Sequence, residues 1–178
     1  ITLLDDHDQV RKGGGKFRFC GDGRYRDLAF NAVAVQLTTM GIPCIYYGTE
    51  QGFDSGGRPS GSDLVLRENM FGGQFGGLCT QGRHFFNEDS DLNCALSALI
   101  SLRKKLLPLR RGRQVLHQIS GDGTTFGLPH RLGERMRSLL SWSRLFVDQE
   151  VLLAINTDMA AARTLTVPAV ERYTFSVE

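Results

Sequence analysis

The chain begins with a short continuous apolar run, Ile1-Thr2-Leu3-Leu4, that gives way at once to Asp5-Asp6-His7-Asp8-Gln9. A brief unalternating apolar run is what a buried parallel strand requires, so residues 1 to 4 read as a strand. From Asp22 to Met40 the apolar positions Leu28, Ala29, Ala32, Val33, Ala34, Val35 and Leu37 leave little polar face, which predicts a largely buried helix. Gly41 supplies a stop signal, and Ile42 to Tyr47 a second short apolar strand. Strand, helix and strand in that order predict a parallel pair joined right-handedly.

Residues 51 to 90 are rich in Gly, Ser, Asn and charge with no lasting period, which is long for a plain connection and typical of a functional loop. A second helix is expected from Asp91, which can cap it, with Leu92, Ala95, Leu96, Leu99, Ile100, Leu102, Leu106 and Leu107 at helical spacing until Pro108. Beyond Gly112 the texture changes to short runs separated by turn signals: 114–119, 125–129, 136–146, 150–156 and 163–167 read as antiparallel strands. Gly121-Asp122-Gly123 and Asp148-Gln149 are the expected hairpin connections. No internal repeat or low-complexity segment interrupts this order.

With 178 residues, 41% of them hydrophobic, the chain can build one ordinary domain or two small ones. A formal charge of +2, from 21 basic against 19 acidic residues, gives no bulk field that would argue for nucleic acid or a membrane surface. The basic cluster of Arg103, Lys104, Lys105, Arg110, Arg111 and Arg113 lies at and after a helix C-terminus, where it suits the helix dipole, so no nucleic-acid partner is expected. No run of about 18 apolar residues spans a bilayer, and the N-terminus lacks a signal-peptide pattern, so no membrane partner is expected either. The four cysteines, at 20, 44, 79 and 94, lack C-x-x-C spacing and read as free, buried thiols acting as small hydrophobes; no glycosylation sequon points outside the cell, and the compartment is unreadable.

The candidate chemistry gathers at the first strand end. Leu4-Asp5-Asp6-His7-Asp8-Gln9 resembles the strand-seven motif of the α-amylase superfamily of glycoside hydrolases and transglycosylases. Downstream, Gly41-Ile42-Pro43-Cys44-Ile45-Tyr46-Tyr47-Gly48-Thr49-Glu50-Gln51-Gly52 is similar to that superfamily's eighth barrel strand and exit loop. Arg67-Glu68-Asn69-Met70-Phe71 resembles an Arg-Glu-x-Met-Phe segment of some members, read as a lining of outer sugar subsites or, for any single residue, as solvated loop.

The resemblance implies an α/β plus all-β architecture: residues 1–112 as the end of a (β/α)8 TIM barrel, then 113–178 as a small antiparallel β-sandwich domain. It implies Asp8 as the catalytic carboxylate that stabilises the transition state and His7 as the substrate-binding group on the same sugar. The substrate class implied is an α-glucan, oligosaccharide or sucrose-like saccharide, cleaved by retaining double displacement. No cofactor is implied in this chain, with calcium expected, if at all, in the complete enzyme. The superfamily's nucleophile Asp and acid/base Glu lie on strands four and five, which have no counterpart here. The chain is therefore expected to be the C-terminal part of a larger enzyme and inactive alone.

Glycosidic bonds break through an oxocarbenium-like transition state that needs a carboxylic acid at the leaving oxygen and a carboxylate against the developing charge. Asp5, Asp6 and Asp8 would equally cap the next segment or solvate a loop; the second motif weights Asp8 and His7 toward a pocket. The family commonly has Asn where this chain has Asp6, which adds a neighbouring negative charge. Glu50 is read as a loop support, and Tyr46, Tyr47, Phe53, Phe71, Phe75, Phe85 and Phe86 as core or stacking platforms. Gly13-Gly14-Gly15-Lys16 lacks the spacing and the Ser or Thr of a phosphate-binding loop, and Asp5-x-His7 echoes a two-metal phosphoesterase pair without the remaining partners. A transglycosylase or sucrose-type enzyme of the same superfamily, or a non-catalytic carbohydrate-binding relative, are the alternatives.

Overall fold

The computed structural model describes residues 1–8, 15–21, 28–55, 60–68, 70, 87–158 and 166–168. Strand β1 (Thr2–Leu3) pairs in parallel with β2 (Pro43–Cys44), with Thr2 opposite Pro43 and Leu3 opposite Cys44. Helix α1 (Ala29–Thr38) connects them, so the expected strand-helix-strand order is present. Residues 22–27 of the expected helix lie outside the described residues. Both strands are shorter than their apolar runs, because Leu4 and Ile45 pack against the helices without continuing the ladder.

Helix α2 (Asp91–Lys105) lies against α1, and Val33, Leu37 and Leu96 form the shared core with Leu4, Ile45, Leu92, Leu99 and Ile100 around it. Burial of each such side chain stabilises by roughly 1.5–3 kcal/mol. The inner face of α1 also carries a residue that polarity alone would turn outward. Gln36 is buried, and its Nε2 donates to the carbonyls of Thr2 and Cys44, both at 2.7 Å. One amide thus ties the helix to both strands, while Phe30 faces outward.

Ser90, not Asp91, caps α2: its Oγ accepts from the Asn93 N–H at 3.3 Å, which leaves Asp91 in the first turn, where its charge suits the dipole. The helix ends at Lys105, before Pro108, which falls in the first turn of a further helix, α3 (Leu107–Arg111). Proline has no N–H to continue α2 but is accommodated where a helix begins.

Strands β3 (Arg113–Leu116), β4 (Leu139–Phe146) and β5 (Gln149–Asn156) form an antiparallel sheet in that order. Ile119, Met136 and Leu139 make a second core with Leu132 and Val167. The expected strand at 125–129 appears only as a single bridge, Ile119 with Gly127; of 163–167, residues 163–165 lie outside the described residues and Thr166 bridges Ser120. Gly121-Asp122-Gly123 does turn the chain. Asp122 Oδ1 accepts from the Thr124 and Thr125 N–H groups and from Ser120 Oγ, which holds its carboxyl well below the usual range.

The β4–β5 connection is one residue earlier than the sequence pattern suggests. Phe146 pairs with Gln149, so Val147-Asp148 forms the loop. Val147 is 84% exposed at φ 55°, a left-handed conformation that a β-branched residue resists and that hairpin turns assign to Gly or Asn. Val147→Gly should raise stability by about 1 kcal/mol, the relief of strain exceeding glycine's added unfolded-state entropy. A urea midpoint at or below that of the parent would refute this.

The two parts meet along the C-termini of α1 and α3. Arg144, on β4 and fully buried, donates to the carbonyls of Thr38 and Gly112, both at 2.8 Å. Arg103, from the last turn of α2, donates to Leu37 and Leu109 carbonyls at 2.5 Å each. A Cβ on Gly112 would lie 2.4 Å from the Pro108 oxygen and 2.8 Å from that of Leu145, so only glycine fits. Met40 N–H to Gln114 Oε1 at 2.6 Å and Asn31 Nδ2 to the Asn156 carbonyl at 3.0 Å complete the seam.

The expectation of buried thiols holds for Cys20 alone among the described cysteines. Cys44 and Cys94 are free but exposed, and Cys79 lies outside the described residues. Cys44 and Leu3 occupy the sheet face turned away from the α1–α2 core, which explains their exposure.

Candidate functional site

The segments following β1 and β2 emerge side by side, as the parallel pairing requires, and bring Asp5–Asp8 beside Tyr46–Thr49. Asp5 is the anchor. It is buried, Oδ1 accepting from the Phe19 N–H at 2.7 Å and Oδ2 from Thr49 Oγ1 at 3.1 Å. The next carboxylate shapes the turn, since Asp6 Oδ1 accepts from the Asp8 N–H at 2.9 Å. An asparagine oxygen can accept the same bond, so this turn does not depend on the charge of Asp6.

That turn presents His7 and Asp8 to solvent as neighbours, with Nε2 and Oδ2 3.9 Å apart and side chains 64% and 59% exposed. An exposed carboxylate can accept from one ligand hydroxyl while an N–H of the imidazole beside it donates to another. From the long loop, Arg67 Nε donates to the His7 carbonyl at 3.3 Å, across 60 residues of sequence.

Behind this surface lies a charged cluster that sequence reasoning missed. Arg18 is fully buried, with its guanidinium 4.6, 4.8 and 5.3 Å from the ring centroids of Tyr46, Tyr47 and Phe53. Its Nε lies 3.1 Å from Glu68 Oε2, and it donates to the Tyr47 carbonyl at 2.5 Å. Tyr47 Oη in turn donates to the Glu68 carbonyl at 2.8 Å. The signal that could have found Arg18 is its setting in Phe17-Arg18-Phe19, a cation between two aromatic residues.

Tyr46 and Tyr47 meet edge to face, 4.6 Å between centroids. Burial pushes the Tyr46 phenol up to about 12, reinforced by its hydrogen bond with Tyr47 and opposed by Arg18 and Arg67. A raised acid pKa favours the neutral form in the fold, so this contribution is complete below about pH 10 and is lost as pH rises toward 12. In an ultraviolet titration Tyr46 should ionise after tyrosines of ordinary pKa; loss of the late phase in Tyr46→Phe would identify it.

The other sequence candidates fall as follows. Glu50 is half-buried in the short helix Thr49–Gln51, and Phe53 is core. Lys16 pairs with Asp63 and holds that carboxyl below its ordinary value, so its amine is engaged within the protein. Asn69, Phe71, Phe75, Phe85 and Phe86 lie outside the described residues. His117 is buried at 2.6 Å from Ser143 Oγ, which donates to Glu150 Oε1 at 2.5 Å. Serine sits between the other two, so the carboxylate does not orient the imidazole as a nucleophile-activating triad needs. Among the described residues no three His, Cys, Asp or Glu side chains gather as a metal-binding group, and no helix is long and apolar enough to cross a membrane.

The sequence is similar to enzymes named as cyclomaltodextrin glucanotransferases and an α-amylase. A cyclomaltodextrin glucanotransferase of Geobacillus stearothermophilus is 25% identical over 166 residues, 93% of this chain and 18% of that protein. A second, from Paenibacillus macerans, is 25% identical over 162 residues, 91% of this chain and 17% of that enzyme. An α-amylase of Niallia circulans is 41% identical over 61 residues, 34% of this chain and 10% of that protein. The chain thus spans less than a fifth of the length of these relatives. No family model matches the sequence. The similarities support a relationship to the α-amylase family.

Proposed function

We propose that this chain forms part of an α-amylase-type enzyme acting on α-linked glucosides, such as an α-glucan, a maltooligosaccharide or a sucrose-like saccharide. Residues 1–112 supply the last quarter of a (β/α)8 barrel and residues 113–178 an appended β-sandwich domain. The observation that carries this reading is the parallel β1–β2 pair with His7 and Asp8 exposed at the end of β1, the end at which barrel enzymes carry their chemistry.

In this reading Asp8 holds sugar hydroxyls and its charge stabilises the oxocarbenium-like transition state, while His7 donates to the same sugar. The reaction is a double displacement with retention, in which the nucleophile Asp and acid/base Glu come from parts of the enzyme outside these 178 residues. The 178-residue chain alone should therefore show no saccharide turnover, and clear release of reducing sugar by it would overturn the proposal.

A transglycosylase reading has a specific support, since the two relatives matching over more than nine-tenths of the chain are both named glucanotransferases. Hydrolysis and transfer share the glycosyl-enzyme intermediate and differ in whether water or a sugar hydroxyl receives it. Product analysis of the complete polypeptide on maltoheptaose separates them: shorter linear sugars alone mark hydrolysis, and longer or cyclic products mark transfer. Absence of both would leave a carbohydrate-binding protein without turnover.

A further inference from the structure

A fold of this size does not need an ion pair as deeply buried as Arg18 and Glu68, because apolar side chains of similar volume commonly serve stability as well or better. What an apolar side chain cannot supply is direction. The Arg18 guanidinium is held among three aromatic rings and by the Tyr47 carbonyl, and its Nε faces the Glu68 carboxylate. The Glu68 main chain is fixed a second time, by the Tyr47 hydroxyl on its carbonyl. Arg67, the preceding residue, then reaches the His7 carbonyl from this fixed base.

We propose that the buried Arg18–Glu68 pair is a positioning device for the His7–Asp8 turn, acting through Arg67, and so sets where a sugar is held. The proposal rests on the reading of His7 and Asp8 as a sugar pocket. A carbonyl on the turn is a suitable handle, because it places the backbone of both groups and leaves the imidazole and carboxylate for substrate.

The test uses the complete polypeptide with Glu68→Gln, which keeps the shape and removes the charge, and Arg67→Ala, an exposed position whose loss should not unfold the chain. Each should raise KM for maltoheptaose about tenfold with kcat nearly unchanged, since small misplacements of binding groups have effects of this order. The double variant should be no worse than Arg67→Ala alone, as both act through one contact. Amide hydrogen exchange over residues 4 to 8 should quicken in both single variants. Unchanged exchange there in Glu68→Gln, or effects on KM that multiply independently, would overturn the proposal. If exchange quickens but His7→Ala leaves KM and kcat untouched, the coupling stands and the sugar-pocket reading falls.

Discussion

Replacing Arg144 with methionine should lower the stability of the chain by about 3 kcal/mol, read as a drop in the denaturant midpoint. Two buried carbonyls, of Thr38 and Gly112, would lose their donors, and hydrogen bonds from a charged group are worth about 1.5–3 kcal/mol each. The opposing term is relief from burying a charge, which for ion pairs often favours the apolar replacement. Here burial and the nearby Arg103 already pull the guanidinium below its ordinary pKa. The carbonyls it meets, however, lie at the C-termini of α1 and α3, where the helix dipoles supply partial negative charge. That compensation stays with the helices when the arginine goes, so the lost bonds outweigh the relief. Arg144→Lys, with one compact donor group for two diverging acceptors, should fall between the two. A midpoint equal to or above the parent's in Arg144→Met would show that desolvation wins.

With the role proposed for it, Asp8→Asn in the complete polypeptide should reduce kcat on maltooligosaccharides by about 10²–10³, with KM changed far less, the size of effect expected when one preorganised charge facing a transition state is lost. The substitution keeps the Asp8 N–H, hence the turn closed by Asp6 Oδ1. His7→Ala should instead act mainly on KM, its imidazole being assigned to ground-state sugar binding as well as to the transition state. A kcat within about threefold of the parent in Asp8→Asn would remove the carboxylate from the mechanism and leave the pocket a binding site.

The parts of this molecule visible in the sequence are those governed by local pattern. The β1–α1–β2 unit could be read because a buried parallel strand is a short apolar run and its helix has a strong apolar face. The exposed place of His7 and Asp8 just after β1 could be read because they follow such a run directly. Strand lengths could not, since an apolar run marks burial and not pairing: Ile45 packs on the helices without joining a ladder. The β4–β5 turn fell one residue earlier because Gln149, read as a turn residue, pairs with Phe146, and Val147, a strand former, takes the left-handed loop conformation that such residues avoid. Cys44 was expected inside because it lies in an apolar run, yet it faces away from the α1–α2 core.

The supports of the candidate site were illegible for a different reason. Arg18 meets Glu68 across 50 positions of chain and Arg67 meets His7 across 60, and no local period encodes such contacts. Arg144 and Gln36 were hidden by the rule that polar residues face outward, which fails when a polar side chain serves orphaned backbone groups.

The seam between the helices and the antiparallel sheet has an evolutionary corollary. Its arginines grip main-chain oxygens at Leu37, Thr38, Leu109 and Gly112, which every amino acid provides. Changes of side chain at Leu37, Thr38 and Leu109 leave the gripped oxygens in place, the two leucines being held by the core instead, whereas Gly112 is fixed by the space around its Cα. Correlated substitutions between the two halves should accordingly be sparse at this joint, however tightly it is held. A contact search that depends on paired changes would pass over it, whereas a saturation scan would find it as two intolerant arginines and one intolerant glycine.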